Sequence, residues 1–262
     1  METTLRGIFG VIYTACAILI FILPMPLVFL FHVYARSLPE QKRLIRIYQA
    51  HHYWIKFWTS VVGLDFVLEG EEKIKSGESY MFVCNHVNML DIPMVGSLLI
   101  HPWKSLAKKE IKYIPLLGWI ITNISIVVDR SSPQSRSNSL LNMVEEIQRG
   151  ISILVFPEGS RNRENVALNK FYHGAFKTAI QAQSPILPMV IYNTRNLQPV
   201  HEFRLNPGRG YLRILEPIPT EGKTLDDLKS LVELVHARME AEILELDDAF
   251  RRGRGTDISL AT

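Results

Sequence analysis

The sequence predicts an α/β protein, a single domain with a central mixed β-sheet flanked by helices, preceded by an N-terminal membrane-anchoring helical segment. Three observations predict it. From residue 64 to residue 246, short apolar runs of strand length alternate with stretches in which apolar residues recur at helical spacing. The run Tyr80, Met81, Phe82, Val83 and Cys84 leads directly into Asn85 and His86, with Asp91 and Pro93 a few residues on, so a buried strand hands over to a helix start through a polar turn. Residues 8–33 carry no charge apart from a possible proton on His32, which marks a segment suited to lipid.

Taken in order, the anchor assigned to residues 1–37 centres on the apolar stretch 18–23 and contains Pro24 and Pro26. A helix of that length could cross a hydrocarbon core of about 30 Å, but prolines kink or end a helix. Two arrangements therefore stand open: a kinked spanning helix, or two short helices hinged at the prolines within one leaflet. A cleaved signal peptide is disfavoured because the apolar run continues past Ala15 and Ala17 without a polar cleavage region. Arg36, Lys42, Arg43 and Arg46 follow the anchor against Arg6 alone before it, which predicts that the remainder faces the cytoplasm.

Residues 38–62 read as an amphipathic interfacial helix, with Leu44, Ile45, Tyr48, Tyr53, Trp54, Phe57 and Trp58 interleaved with basic and amide residues. The domain proper is assigned to 63–250. Leu64, Phe66 and Leu68 alternate with Asp65, Val67 and Glu69 and end at Gly70, an edge-strand pattern. Further strands are predicted near 103–108, 125–130, 151–156, 186–192 and 211–216. Helices are predicted at 91–100, 133–150, 174–183 and 225–246, the last with Leu228, Leu231, Val232, Val235, Met239 and Ile243 as its stripe. Asp91 reads as the N-cap of the first of these. The stretch 111–121 is unusually apolar for a connection and reads as an acyl-pocket wall or a second membrane contact. Residues 251–262, rich in Arg and Gly, read as a disordered basic tail.

Composition narrows the partner. A formal net charge of +3 over 262 residues is too mild to argue for nucleic acid, although clustered basic residues would favour an anionic membrane surface. Two cysteines, Cys16 and Cys84, give no disulfide framework.

Four strand ends carry polar groups: His86 with Asp91, Lys108 with Lys109, Asp129 with Arg130, and Glu158 with Ser160 and Arg161. A histidine can take a proton from an attacking hydroxyl, and a carboxylate can fix its tautomer. A guanidinium suits bidentate phosphate binding. Each has a bland counterpart: Asp91 as a cap, Arg161 as a surface residue, the lysines as a solvated pair. A serine hydrolase would want a Gly-x-Ser-x-Gly elbow, which is absent. Metal-ligand spacing is not supported around His51, His52, His86 and Asp91. Gly208 and Gly210 precede a strand rather than a helix, against a dinucleotide fold.

The block Asn85 to Asp91 resembles the His-four-residues-Asp motif of the glycerolipid acyltransferases, and specifically of the 1-acylglycerol-3-phosphate acyltransferases. Lys108, Lys109 and Glu110 with Ile114, Pro115, Gly118 and Trp119 resemble the family's second region, and Val127 to Arg130 its Asp-Arg ending. Phe156, Pro157, Glu158, Gly159, Ser160 and Arg161 resemble its Phe-Pro-Glu-Gly-Thr/Ser-Arg block. Phe171, Gly174, Ala175 and Phe176, then Leu187 to Val190, resemble the segments that follow. Val87 and Asn162 depart from the usual glutamine and serine.

The resemblance implies transfer of an acyl chain from an acyl-CoA or acyl-carrier-protein thioester, a co-substrate rather than a cofactor, to the 2-hydroxyl of lysophosphatidic acid, giving phosphatidic acid. It implies His86 as general base, Asp91 as the residue that orients it, and direct attack without an acyl-enzyme. Glu158, Gly159, Ser160 and Arg161 would bind the acceptor's glycerol phosphate, with Arg130 and Lys108 contributing. The alternatives are another lysophospholipid as acceptor, or a non-catalytic membrane scaffold.

Overall fold

The computed structural model describes residues 2–164 and 166–254. Its elements are helices α1 (Glu2–Ile22), α2 (Met25–Ala35) and α3 (Glu40–Val61), strand β1 (Leu64–Glu69), β2 (Met81–Cys84), α4 (Asp91–Leu98), β3 (Trp103–Lys108), α5 (Leu117–Thr122), β4 (Ser125–Val128), α6 (Pro133–Gln148), β5 (Ser152–Val155), α7 (Gly174–Ala182), β6 (Ile186–Tyr192), α8 (Thr194–Leu197), β7 (Gly208–Ile214) and α9 (Leu228–Ala249). The strands form a mixed seven-stranded sheet in the order β1-β7-β6-β2-β5-β3-β4, so the expected α/β class is the one found and β1 does lie at an edge. The described residues divide into two compact units: those within 2–67, 88–139 and 193–210, and those within 68–87, 140–192 and 211–254.

In the first unit the apolar N-terminus is two helices rather than one. The stretch Ile8–Ala35 is long and apolar enough to cross a membrane by length and composition. It is interrupted at Leu23 and Pro24, where proline ends α1 and takes the N-cap of α2. Phe9, Leu19, Leu23, Leu27 and Leu30 are exposed. The opposite side packs on protein: Ala17, Trp58, Val62, Leu64, Leu90, Leu197 and Leu205 form one buried cluster, and Met25, Val28, Trp54 and Ile120 a second. Trp58 donates its indole N–H to the Ala17 carbonyl at 2.8 Å, and Phe21 stacks on Trp54 with centroids 4.6 Å apart. The aromatics of α3 are therefore split, with Tyr48, Trp54 and Trp58 buried while Tyr53 and Phe57 are exposed. Periodicity finds an apolar face but does not say which neighbour fills it.

Residues 109–122 form a 3-10 turn and α5. Gly118 is required there, because a side chain would meet the carbonyls of Ile111 and Lys112. Tyr113, Ile114 and Leu116 are exposed, and Leu116 holds a φ of 59°.

In the second unit β2 lies between β5 and β6 and is parallel to both, with Phe82 opposite Leu154 on one side and Leu187 on the other. All four β2 residues are fully buried, which explains an unbroken apolar run: a parallel strand is covered on both faces. β6 pairs antiparallel with β7, Tyr192 opposite Tyr211 and Met189 opposite Ile214. Helix α9 buries Leu231, Val235, Met239, Ile243 and Leu246.

Several boundaries move. The last long helix starts at Leu228 because Thr224 and Asp227 form a capping box around a preceding 3-10 turn. The final strand begins at Gly208 rather than 211. Residues 250–254 continue helically, contrary to a tail disordered from 251, and the rest of that tail, 255–262, lies outside the described residues. Asp91 is the first residue of α4 and Leu90 takes the N-cap with helical dihedrals, so Asp91 is not the cap the sequence pointed to. The short helix α8 escapes sequence reading, since four residues carry no usable period.

Candidate active site

His86 follows β2 by two residues, and its backbone is engaged on both sides. Asn85 extends the β2–β6 pairing with its side chain, donating from Nδ2 to the Ile191 carbonyl at 2.8 Å and accepting the Ile191 N–H at 2.7 Å. The His86 N–H donates to Glu158 Oε1 at 2.8 Å, and its carbonyl accepts the Asn162 N–H at 2.7 Å. The imidazole lies on Phe156, centroids 4.1 Å apart and planes 17° apart, and remains partly exposed. A ring fixed through its backbone and flanked by an aromatic face has few orientations open to it, which suits proton abstraction from a bound hydroxyl.

Glu158 holds this arrangement. Its Oε2 accepts the Asn169 N–H at 3.0 Å while Oε1 takes His86, and the residue is 4% exposed. Burial pushes its carboxyl above the ordinary value, while the two N–H donors hold the rise back. Gly159 sits at φ 70° with the Tyr172 ring against it, too close for a side chain. Ser160 and Arg161 then emerge exposed. The loop thus presents a cation at Arg161 while the Glu158 carboxylate accepts from the backbone of His86 and Asn169.

The Asp91 side of the motif is built from the turn 88–91. Asp91 is fully buried and its Oδ2 accepts the Asn88 N–H at 3.0 Å. Asn88 Oδ1 accepts the Leu90 N–H at 2.9 Å, an Asx turn. Asn88 Nδ2 donates to the carbonyls of Thr194 and Gln198 at 2.8 and 3.0 Å.

Lys108 and Arg130 are exposed at the ends of β3 and β4. The neighbouring ion pair is made by Lys109, whose Nζ lies 2.7 Å from Asp129 Oδ2. Lys109 and the Ser131 donors pull the Asp129 carboxyl down to about 2. Among the described residues no group of three or more His, Cys, Asp or Glu is placed to hold a metal. Sequence reasoning missed Phe156 as the platform under His86, the Asn162 and Asn169 amides, and Thr194 and Gln198; of these, Phe156 and Asn162 stood within the compared block, while the others carried no motif.

Comparison with known proteins identifies the family. The family model described as acyltransferase matches residues 65–192, which include His86, Asp91, Glu158 and Arg161. A 1-acyl-sn-glycerol-3-phosphate acyltransferase of Saccharomyces cerevisiae is 34% identical over 189 residues, 71% of this chain and 62% of that protein. One of Haemophilus influenzae is 31% identical over 196 residues, 72% of this chain and 80% of that protein. The crystal structure of a 1-acyl-sn-glycerophosphate acyltransferase, PlsC, from Thermotoga maritima superposes with a TM-score of 0.77 over 92% of this chain and 98% of that one, at 23% identity, and so shares the fold. The chain belongs to the acyltransferase family that contains these 1-acyl-sn-glycerol-3-phosphate acyltransferases.

Proposed function

We propose that the protein acylates the free 2-hydroxyl of 1-acyl-glycerol-3-phosphate, giving phosphatidic acid, with an acyl-CoA or acyl-carrier-protein thioester as donor. His86 accepts the hydroxyl proton as the oxygen attacks the thioester carbon, and the thiolate leaves when the tetrahedral intermediate collapses. Asp91 orients the imidazole and stabilises its protonated form. Backbone amides near the motif stabilise the oxyanion. Arg161, with Gly159 and Ser160, receives the acceptor phosphate, Arg130 and Lys108 add positive charge, and Glu158 serves by fixing the loop that carries them and the backbone of His86.

Helices α1 and α2 anchor the protein in one leaflet. The packing of α2 on Trp54 and Ile120 supports this over a spanning path, because those partners would have to enter the bilayer with it. Arg36, Lys42, Arg43 and Arg46 then meet an anionic cytoplasmic surface.

The observation that carries the reading is the His86 to Asp91 spacing set across a strand end and a helix start, within a segment that matches the family. Purified protein given lysophosphatidic acid and an acyl thioester should form phosphatidic acid, and His86→Ala should lower turnover by about 10²–10⁴-fold. Equal turnover in wild type and variant removes His86 as the base; absence of product with coenzyme A and carrier-protein donors alike favours a scaffold.

A further inference from the structure

The turn that carries Asp91 is held from outside the segment that matches the family. Three consecutive backbone N–H groups, those of Asn88, Met89 and Leu90, each donate to a side-chain oxygen: Asp91 Oδ2 at 3.0 Å, Gln198 Oε1 at 3.0 Å and Asn88 Oδ1 at 2.9 Å. Two of these acceptors belong to the turn itself. The third, Gln198, comes from the end of α8, beyond residue 192 where the family match stops.

Gln198 is doubly engaged, because its carbonyl also accepts from Asn88 Nδ2 at 3.0 Å, beside the Thr194 carbonyl at 2.8 Å. Both donor hydrogens of the Asn88 amide are thus spent on α8. Gln198 and Thr194 are 6% and 1% exposed, so these bonds form where water does not substitute for them. The support beneath them is firm: Gln198 N–H donates to the Thr194 carbonyl at 2.8 Å, Asn206 N–H to the Leu197 carbonyl at 2.7 Å, and Leu197 packs in one cluster with Leu90, Ala17 and Trp58.

A surface turn of four residues needs no such brace. A turn whose next residue is a fully buried carboxylate with a directional task does, since a shift of about 1 Å in a catalytic constellation costs on the order of 10²-fold in rate. We infer that Gln198 is a positioning residue for acyl transfer, clamping the Asn88 to Leu90 turn so that Asp91 is held in the orientation the reaction requires. The inference rests on the acyl-transfer reading above. It predicts a role confined to kcat, because the Gln198 side chain is buried at 6% exposure and turned to the Met89 N–H.

Full-length protein in mixed micelles tests it, with wild type, Gln198→Ala and Gln198→Glu compared. Gln198→Ala should lower kcat about tenfold, leave both KM values within twofold, and move the acid limb of the kcat–pH profile to lower pH as the carboxylate loses its hold on the base. Gln198→Glu, which keeps an acceptor for the Met89 N–H, should recover most of the rate. Amide hydrogen exchange over 88–90 supplies the second measurement: at least tenfold faster in Gln198→Ala than in wild type, and near wild type in Gln198→Glu. Unchanged kcat in Gln198→Ala, or equal loss in both variants, overturns the positioning role. Should wild type itself form no phosphatidic acid, the acyl-transfer reading falls, and the exchange rates alone decide the clamp: unchanged exchange in Gln198→Ala overturns it and accelerated exchange upholds it.

Discussion

Glu158→Ala should separate a residue that holds the site from one that binds substrate. The carboxylate accepts the His86 N–H at 2.8 Å and the Asn169 N–H at 3.0 Å from a position 4% exposed. Each backbone donor left without a partner at a buried site costs about 1–3 kcal/mol, so the alanine variant should lose about 2–6 kcal/mol. A glutamine in its place would keep one acceptor oxygen and turn an amide N–H₂ toward the other donor, so Glu158→Gln should lose about half as much. For a chain of this size, each kcal/mol lowers the unfolding midpoint by about 2–4 °C, which puts Glu158→Ala about 4–24 °C below wild type and Glu158→Gln between them. Freed at its N–H, His86 should lose alignment as well, and kcat should fall by about 10–100-fold while the acceptor KM changes little. Thermal unfolding in detergent followed by steady-state kinetics with lysophosphatidic acid reads both quantities. A variant as stable as wild type but with a strongly raised acceptor KM would refute the reasoning and return Glu158 to the acceptor site.

Two other expectations follow from the same geometry. Arg161→Lys should raise the KM for the phosphorylated acceptor more than for the thioester, because lysine cannot reproduce a two-pronged guanidinium contact; an unchanged acceptor KM in steady-state assays would remove Arg161 from the phosphate site. His51, buried with its Nε2 2.8 Å from that of His32, has its pKa lowered to about 3 from the ordinary 6.5 by burial and then by His32. Between those values the unfolded chain takes up a proton that the folded chain refuses, so stability should fall as pH drops from 6.5 toward 3, and His51→Gln should flatten that slope in unfolding measured across the range.

What the sequence made legible was set by range. The apolar runs of β2, β5 and β6 can be read because each is buried along its own length, and the stripe of α9 because one face repeats over many turns. His86, Asp91 and Arg161 stand out because their chemistry is concentrated in short blocks. Gln198 leaves no local sign, since its bond to the Met89 N–H joins residues 109 apart and glutamine is ordinary near a helix end. Asp91 reads as a cap for a related reason. Aspartate before an apolar helical run fits that role, but its carboxylate is turned back to the Asn88 N–H and leaves Leu90 at the helix start. Glu158 stands out in the sequence by its charge, whereas its two backbone donors emerge only in three dimensions.

The cluster in which Ala17 and Trp58 meet Leu90 and Leu197 bears on how this enzyme can be handled. Cutting away α1 and α2 would strip one wall from the packing beneath the 88–91 turn, so deletion is the wrong route to a water-soluble form. Repainting is the better one: Phe9, Leu19, Leu23, Leu27 and Leu30 are exposed and open to polar replacement, while Ala17, Met25 and Val28 are buried and should stay. The same division separates the residues that answer to the lipid from those that answer to the fold, along a single stretch of chain that hydropathy alone paints in one colour.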